Sequence, residues 1–95
     1  MSEQATLYSA LGNPTRLAAI RALSGRELSV TQLRAEVAEQ LGYSVTQSAF
    51  SQHLKTLREA NLLRVRRDAQ FIHYSLNDEL VGSMAEELTS IATAA

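Results

Sequence analysis

The sequence contains no cysteine, and this absence excludes several kinds of chemistry. Without thiols the chain can form no disulfide, hold no metal through a thiolate and use no cysteine nucleophile. A cysteine-free chain suits a reducing cytosol, so we expect a cytoplasmic protein. Long apolar runs are also missing, and the first residues are mixed and include Glu3. We therefore expect neither a membrane span nor a signal peptide.

Glycine and proline are scarce, with four and one among 95 residues, which favours helix. A chain of this length predicts one domain, residues 1–95, with a modest core. Apolar spacing and capping residues predict five helices. The first two cover residues 3–11 and, after the cap Asn13, residues 14–24. The third runs from the cap Thr31 to Gly42, the fourth from the cap Thr46 to about residue 60, and the fifth from the cap Asn77 to about residue 93. Gly25, Gly42 and Asn61 stand where left-handed residues end helices.

A β-hairpin is predicted by alternation in residues 63–67 and 70–76, with Asp68 and Ala69 between them. Val65, Ile72 and Tyr74 are the expected inward or cross-strand positions. Ala69 fits a type I′ turn poorly, so we expect a longer loop or another turn type. Residues 27–30 read as a short extended piece. The fold class is thus mainly α with a small hairpin, in the order α-α-(β)-α-α-β-β-α.

Charge is distributed unevenly, although the net charge of the chain is only −1. Residues 44–76 hold five basic and two acidic side chains, a net charge of +3, whereas residues 77–95 hold four acids and no base. This division indicates two surfaces with different roles. The alternative is scatter in a small sample.

One face of the fourth predicted helix is polar and free of acids. Phe50, Leu54 and Leu57 point inward on the helical wheel, and the opposite side carries Ser48, Ser51, Gln52 and Lys55, with Gln47 in the first turn. Such side chains can reach base edges in a major groove and supply a cation for phosphate. Thr46 and the free N–H groups of the helix start can meet another phosphate. The alternative is an ordinary solvated face.

The first hairpin strand carries three arginines, Arg64, Arg66 and Arg67. Arginines near a hairpin tip can enter a minor groove or contact the flanking backbone while the preceding helix occupies the major groove. Arg64 and Arg66 share one side of the strand, and Arg67 lies on the other. The alternative is that these charges guard an edge strand against aggregation.

Three blocks of this sequence resemble the arsenic-repressor (ArsR/SmtB) family of winged helix-turn-helix regulators. They are ALGNPTRLAAIRAL, TQSAFSQHLKTLREANLL and VRRDAQFIHYSL, in the family's order between Leu7 and Leu76. The resemblance implies a dimeric repressor on a near-palindromic operator of double-stranded DNA. It also implies that DNA is faced by Gln47, Ser48, Ser51, Gln52 and His53, with Arg66 and Arg67 in the hairpin wing. His53 has a second interpretation, because it flanks the apolar stripe and can simply pack there.

Departures from the family pattern concern length and the sensor site. The segment from Leu33 to Gln47 is several residues longer than the pattern. Where metal sensors of the family carry thiolates, this chain has Ser29 and Thr31, whose oxygens bind thiophilic metals poorly. The last helix has acids but no histidine, and a lone strand histidine such as His73 is more often structural than a ligand. We therefore expect no metal site, cofactor or catalytic residue; an effector, if one exists, is an organic molecule or a protein.

Apolar side chains on the first and last helices exceed what a small winged core can cover. They are Leu7, Tyr8, Leu11, Leu80, Met84, Leu88 and Ile91. A symmetric interface between residues 1–12 and 77–95 of two copies would bury them, and twofold symmetry matches a palindromic site. Alternatively, both helices close the monomer core. The runner-up function is a winged-helix module that binds proteins and has lost DNA, favoured by the net negative charge and the longer third segment.

Overall fold

The order of elements follows the predicted α-α-(β)-α-α-β-β-α pattern. The structure, a computed structural model, describes residues 3–94, and side chains within 7–93. Its elements are α1 (Glu3–Leu11), α2 (Pro14–Ala22), β1 (Leu28–Ser29), α3 (Val30–Leu41), α4 (Gln47–Glu59), β2 (Leu63–Asp68), β3 (Phe71–Leu76) and α5 (Asp78–Ala94). In residues 3–94 no helix combines the length and the apolar character that crossing a bilayer requires.

Side-chain caps start the helices where the sequence predicts them in three cases. Asn13 Oδ1 accepts hydrogen bonds from the backbone N–H of Thr15 and Arg16, at 2.9 and 3.2 Å. Thr46 Oγ1 accepts from the N–H of Ala49 at 3.2 Å. Asn77 Oδ1 lies 3.4 Å from the N–H of Leu80 in the first turn of α5. Each cap satisfies a donor that the first turn leaves without a partner.

The predicted cap of the third helix, Thr31, is wrong. The helix begins at Val30, and Ser29 caps it. Ser29 Oγ accepts from the N–H of Gln32, and Gln32 Oε1 accepts from the N–H of Ser29, at 3.2 and 3.0 Å. This reciprocal capping box satisfies two backbone donors, whereas a threonine cap two residues later would satisfy one.

Left-handed residues end the helical segments as predicted. Gly42 follows α3 with φ 82°, Asn61 follows α4 with φ 62°, and Gly25 lies beyond α2 with φ 71°. The second helix nevertheless ends at Ala22, earlier than the predicted residue 24, because Leu23 already leaves helical geometry. Gly25 therefore lies in the loop that leads to β1.

The wing, the hairpin of β2 and β3, belongs to a three-stranded antiparallel sheet in the order β1-β3-β2. Tyr74 pairs with Leu28 on one side and Val65 on the other. Tyr74 is buried and Ile72 half-buried, as predicted, and Val65 is a cross-strand position opposite Tyr74, although its side chain is 40% exposed. Val65 lies on the outer strand, of which only the first residue is covered.

The wing turn comes one residue later than predicted. Asp68 pairs with Phe71, which leaves Ala69 and Gln70 as a two-residue loop. Of these two, only Ala69 has positive φ, 54°. A type I′ turn requires positive φ at both central positions, so the turn is of another type.

The hydrophobic core holds α4 by its apolar side. Phe50, Leu54 and Leu57 are at most 3% exposed, which confirms the predicted inward face of the helix. They belong to one cluster with Leu33 and Val37 of α3 and with residues of α2 and the sheet. Burying each of these large side chains stabilises the fold by roughly 1.5–3 kcal/mol. The core therefore fixes which side of α4 is left to solvent.

Candidate nucleic-acid interface

The polar side of α4 lies open to solvent. We call it the recognition face; all five of its residues are exposed: Gln47, Ser48, Ser51, Gln52 and Lys55. The capping residue Thr46 is exposed as well. Because the buried stripe lies on the far side of the helix, these short and planar groups project away from the protein body. The exposed residues are the same ones that the helical spacing in the sequence places on the polar side of α4.

Two side-chain bonds fix the connection between α3 and α4. Arg34 Nε, on α3, donates to the carbonyl oxygen of Val45 at 2.8 Å, just before α4 begins. Gln40 Nε2 donates to the carbonyl oxygen of Ala18 at 2.9 Å and ties α3 to α2. Residues 42–46 form the connection between the two helices. The start of α4 is therefore held by hydrogen bonds as well as by its core contacts.

Lys55 has only a weak partner in the free protein. Its Nζ lies 3.9 Å from Glu59 Oε1, and both side chains are about two-thirds exposed. An exposed pair one helical turn apart contributes only about 0.3–0.5 kcal/mol. Lys55 can therefore leave Glu59 for a stronger anion at little cost.

His53 lies at the edge of the recognition face, half-buried against α2. Arg16 Nη1 lies 3.3 Å from His53 Nδ1. Burial lowers the pKa of His53 below its usual range, and the nearby charge of Arg16 lowers it further. The ring of His53 packs, as its second interpretation has it, and its contact with DNA stays a prediction. Sequence reasoning assigned no role to Arg16, although this residue lies within the block ALGNPTRLAAIRAL.

Arg67 lies on the sheet face that looks towards α4. It pairs with Ile72 across the ladder, and paired residues share one face of an antiparallel sheet. Ile72 lines a groove together with Gln47 and Ser51. The Arg67 side chain is exposed, and no hydrogen bond or ion pair engages it among the residues that the structure describes. The wing thus offers one uncommitted cation beside the recognition face.

Arg66 points to the opposite face and is already engaged. Its Nη2 and Nε donate to both carboxylate oxygens of Glu27, at 2.7 to 3.2 Å. This hydrogen-bonded pair holds the pKa of Glu27 below its usual range. Arg66 Nη1 also lies 3.9 Å from Asp68 Oδ2. No sequence pattern pointed to this pair, because Glu27 lies 39 residues from Arg66 and meets it only across the folded sheet.

Arg64 is also tied to the protein. Its Nη2 donates to Asn77 Oδ1 at 3.2 Å, beside the start of α5. The three arginines of β2 therefore differ in kind. Arg64 and Arg66 brace the wing, and Arg67 is open.

The residues predicted for a dimer interface divide into three groups. Leu7 and Met84 are buried in the core of the single chain, at 4% and 7% exposure. Tyr8, Leu11 and Leu80 are half-buried and pack against that core. Leu88 and Ile91, in the second half of α5, are 53% and 59% exposed. Among the residues predicted for the interface, the apolar surface left uncovered therefore lies mainly on the second half of α5.

Histidine and acidic side chains do not gather into a metal-binding group of three or more within the described part of the chain. His73 lies on β3, half-buried, directly opposite Ser29 on one side and Arg66 on the other. The structural role of His73 stays a prediction.

Comparison with known proteins points to regulators of transcription. The sequence profile of a family described as a helix-turn-helix domain matches residues 11–66. The nodulation protein NolR of Rhizobium meliloti is 41% identical over 87 residues, which are 92% of this chain and 66% of NolR. A transcriptional repressor SmtB homolog of Synechocystis is 35% identical over 86 residues, 90% of this chain and 61% of the relative. The chain thus spans less than two thirds of the length of these relatives.

A solved structure supports the same assignment. The crystal structure of NolR from Sinorhizobium fredii superposes with a TM-score of 0.70 at 39% identity, covering 94% of this chain and 83% of that one. The matched profile includes α2, α3, α4 and the first four residues of β2, and it ends one residue before Arg67. The chain belongs to the ArsR/SmtB family of winged helix-turn-helix regulators.

Proposed function

We propose that this protein is a transcriptional repressor that binds a near-palindromic operator in double-stranded DNA as a homodimer, in the cytoplasm. One observation carries the proposal. Gln47 and Ser51 of the acid-free recognition face line one groove with Ile72, and Ile72 is the cross-strand neighbour of the uncommitted Arg67, so one duplex can meet both. In this arrangement α4 enters the major groove and the wing follows the adjacent backbone or minor groove.

Each residue of the site has a role in this proposal. Gln47, Ser48, Ser51 and Gln52 offer amide and hydroxyl groups to base edges or phosphates, and His53 joins them from the edge. Lys55 and Arg67 supply charge for phosphates, and the N–H groups at the start of α4, beside Thr46, receive another phosphate. Arg66 is the weaker wing contact, because it must first give up Glu27.

A dimer is supported by the uncovered part of α5. Leu88 and Ile91 lie three residues apart, and therefore on one side of the helix, and both are more than half exposed. A second copy that packs the same helix face would bury them symmetrically. The four acids of residues 77–95 all stand on α5, Asp78 and Glu79 in its first turn and Glu86 and Glu87 in its second half. Such a division of charge lets α5 serve assembly while α4 and the wing serve DNA.

A band-shift titration tests the proposal, with DNA from the promoter of the protein's own gene. Gln52→Ala and Arg67→Ala each remove one contact, so each should weaken binding by about fivefold to a hundredfold. Neither side chain belongs to the core, so thermal unfolding should stay close to that of the native protein. Arg21→Ala, at an exposed arginine on α2 without a described partner, is the control.

Salt supplies the second readout of the same experiment. Each phosphate contact releases a counterion, so the logarithm of affinity should fall linearly with the logarithm of salt, with a slope of about −0.9 per contact. Unchanged affinity in both variants contradicts the proposed site. Absence of any binding by the native protein favours the protein-interaction module instead.

A further inference from the structure

Arg16 joins two helices that are separate in the sequence. It lies in the first turns of α2, half-buried. Its Nε donates to the carbonyl oxygen of Ala10, and its Nη2 lies 3.4 Å from the carbonyl oxygen of Ser9. Its Nη1 meets His53 Nδ1 at 3.3 Å. One guanidinium therefore connects the carbonyl end of α1 with the middle of α4.

The contact determines which ring nitrogen of His53 carries a proton. A guanidinium has five N–H donors and no acceptor, so Nδ1 must accept the hydrogen bond from Arg16. In a neutral imidazole the proton then lies on Nε2, which becomes a donor. No hydrogen bond engages Nε2 in the described part of the chain. Within that part, Tyr8 Oη is the only side-chain nitrogen or oxygen that is both buried and without a partner, so Nε2 is accessible to solvent.

The surroundings also keep His53 uncharged. Burial disfavours the imidazolium, and Arg16, from α2, is the charged group that adds to this effect. No acid contributes to the shift of its pKa. His53 therefore meets an anionic duplex as a neutral group with one fixed donor.

We propose that Arg16 is a positioning residue for DNA recognition, which holds the His53 ring with its proton on Nε2 as a donor to a DNA acceptor. The inference rests on the proposed function, because the acceptor for Nε2 is a group of the bound DNA. The acceptor is a phosphate oxygen or the N7 or O6 of guanine, groups that accept but do not donate. Arg16 acts through His53 and does not itself touch DNA.

The free protein gives the first test, without any DNA. Nitrogen-15 NMR of the imidazole distinguishes the two neutral tautomers, and the native protein should show His53 with its proton on Nε2 at about pH 8, well above its pKa. Arg16→Met keeps the packing of the side-chain stem and removes every donor. In this variant the tautomers should mix, and the pKa of His53 should rise towards its usual value. A proton on Nδ1 in the native protein, or no change in Arg16→Met, overturns the inference.

Arg21→Met is the matched control. It makes the same substitution on the same helix, at an exposed arginine without a described partner. The tautomer and the pKa of His53 should be those of the native protein. An equal disturbance by both variants would mean that the effect comes from α2 as a whole and not from the Arg16 contact.

A pair of variants at His53 tests the donor itself and does not depend on the folding of Arg16→Met. The amide of glutamine can place its N–H near the position of Nε2, whereas the shorter side chain of asparagine reaches only the position of Nδ1. His53→Gln should therefore bind the promoter fragment about fivefold more tightly than His53→Asn, the value of one hydrogen bond. Equal affinities, or the reverse order, overturn the inference.

The NMR measurement on the free protein and the binding measurement on the His53 variants together separate this inference from the proposed function. If the native protein fails to bind the promoter fragment while His53 carries its proton on Nε2, the proposed function is wrong. If the native protein binds and the two His53 variants do not differ, the positioning role is wrong. Competition with unrelated DNA identifies the acceptor, because loss of a phosphate contact weakens all sequences alike and loss of a guanine contact lowers the preference for the promoter.

Discussion

Ala69 holds a left-handed backbone at the wing turn, with φ 54°. This conformation costs a residue with a Cβ roughly 1–2 kcal/mol, whereas glycine adopts it freely. Asn61 adopts a similar φ at less cost, since its short amide tolerates this region. The residue type alone indicates that Ala69 is a poor turn residue. The turn type depends on the pairing of Asp68 with Phe71, which a single sequence does not specify.

Ala69→Gly should stabilise the protein. Relief of the backbone strain exceeds the extra entropy that glycine gives the unfolded chain, for a net gain of roughly 0.5–1 kcal/mol. Urea unfolding measures this difference. Gln70→Gly, at the neighbouring position without positive φ, is the control and should destabilise. A loss of stability in Ala69→Gly would show that the wing turn is unstrained.

At the scale of elements, the recognition face could be predicted and the wing only in part. The polar and apolar sides of α4 follow from residue types repeated at helical spacing, so one sequence suffices to orient the helix. The roles of Arg66 and Arg16 depend on Glu27 and on the end of α1, which are brought near by folding. Periodicity within a segment carries no information on such distant partners.

A double-mutant cycle tests the division of labour within β2. Arg66 is engaged by Glu27, so Arg66→Ala should cost less DNA affinity than Arg67→Ala and change the salt slope less. Loss of Arg67 should reduce the slope by about 1. In the Glu27→Ala background Arg66 loses both carboxylate oxygens, and Arg66→Ala should then cost about as much as Arg67→Ala. Equal losses for both arginines in the native background contradict this division.

At the scale of the whole molecule, the single chain covers part of its apolar surface and leaves part exposed. The order of elements was predictable because helix caps and strand alternation are local signals. Which apolar residues remain exposed was not predictable, since a sequence cannot show which of them the monomer already covers. Leu7 and Met84 turn out to be buried in the single chain, whereas Leu88 and Ile91 remain exposed.

Leu88→Asp combined with Ile91→Asp should convert a dimer into a folded monomer. Two charges in an apolar interface cost several kcal/mol, which exceeds what a small dimer can lose. Sedimentation equilibrium should give about twice the chain mass of 10.4 kDa for the native protein and the single mass for the variant. Ser90→Asp, exposed on the other side of α5, should leave the dimer intact. A native protein that stays monomeric at micromolar concentration contradicts the assembly.

The central claim is that α4 and the wing face one duplex together, and backbone amide NMR during titration with the promoter fragment measures this directly. The proposal requires that the largest shift changes fall in residues 46–55 and 66–70, with little change in residues 86–93. Changes concentrated in the second half of α5, or in α4 without the wing, would contradict it.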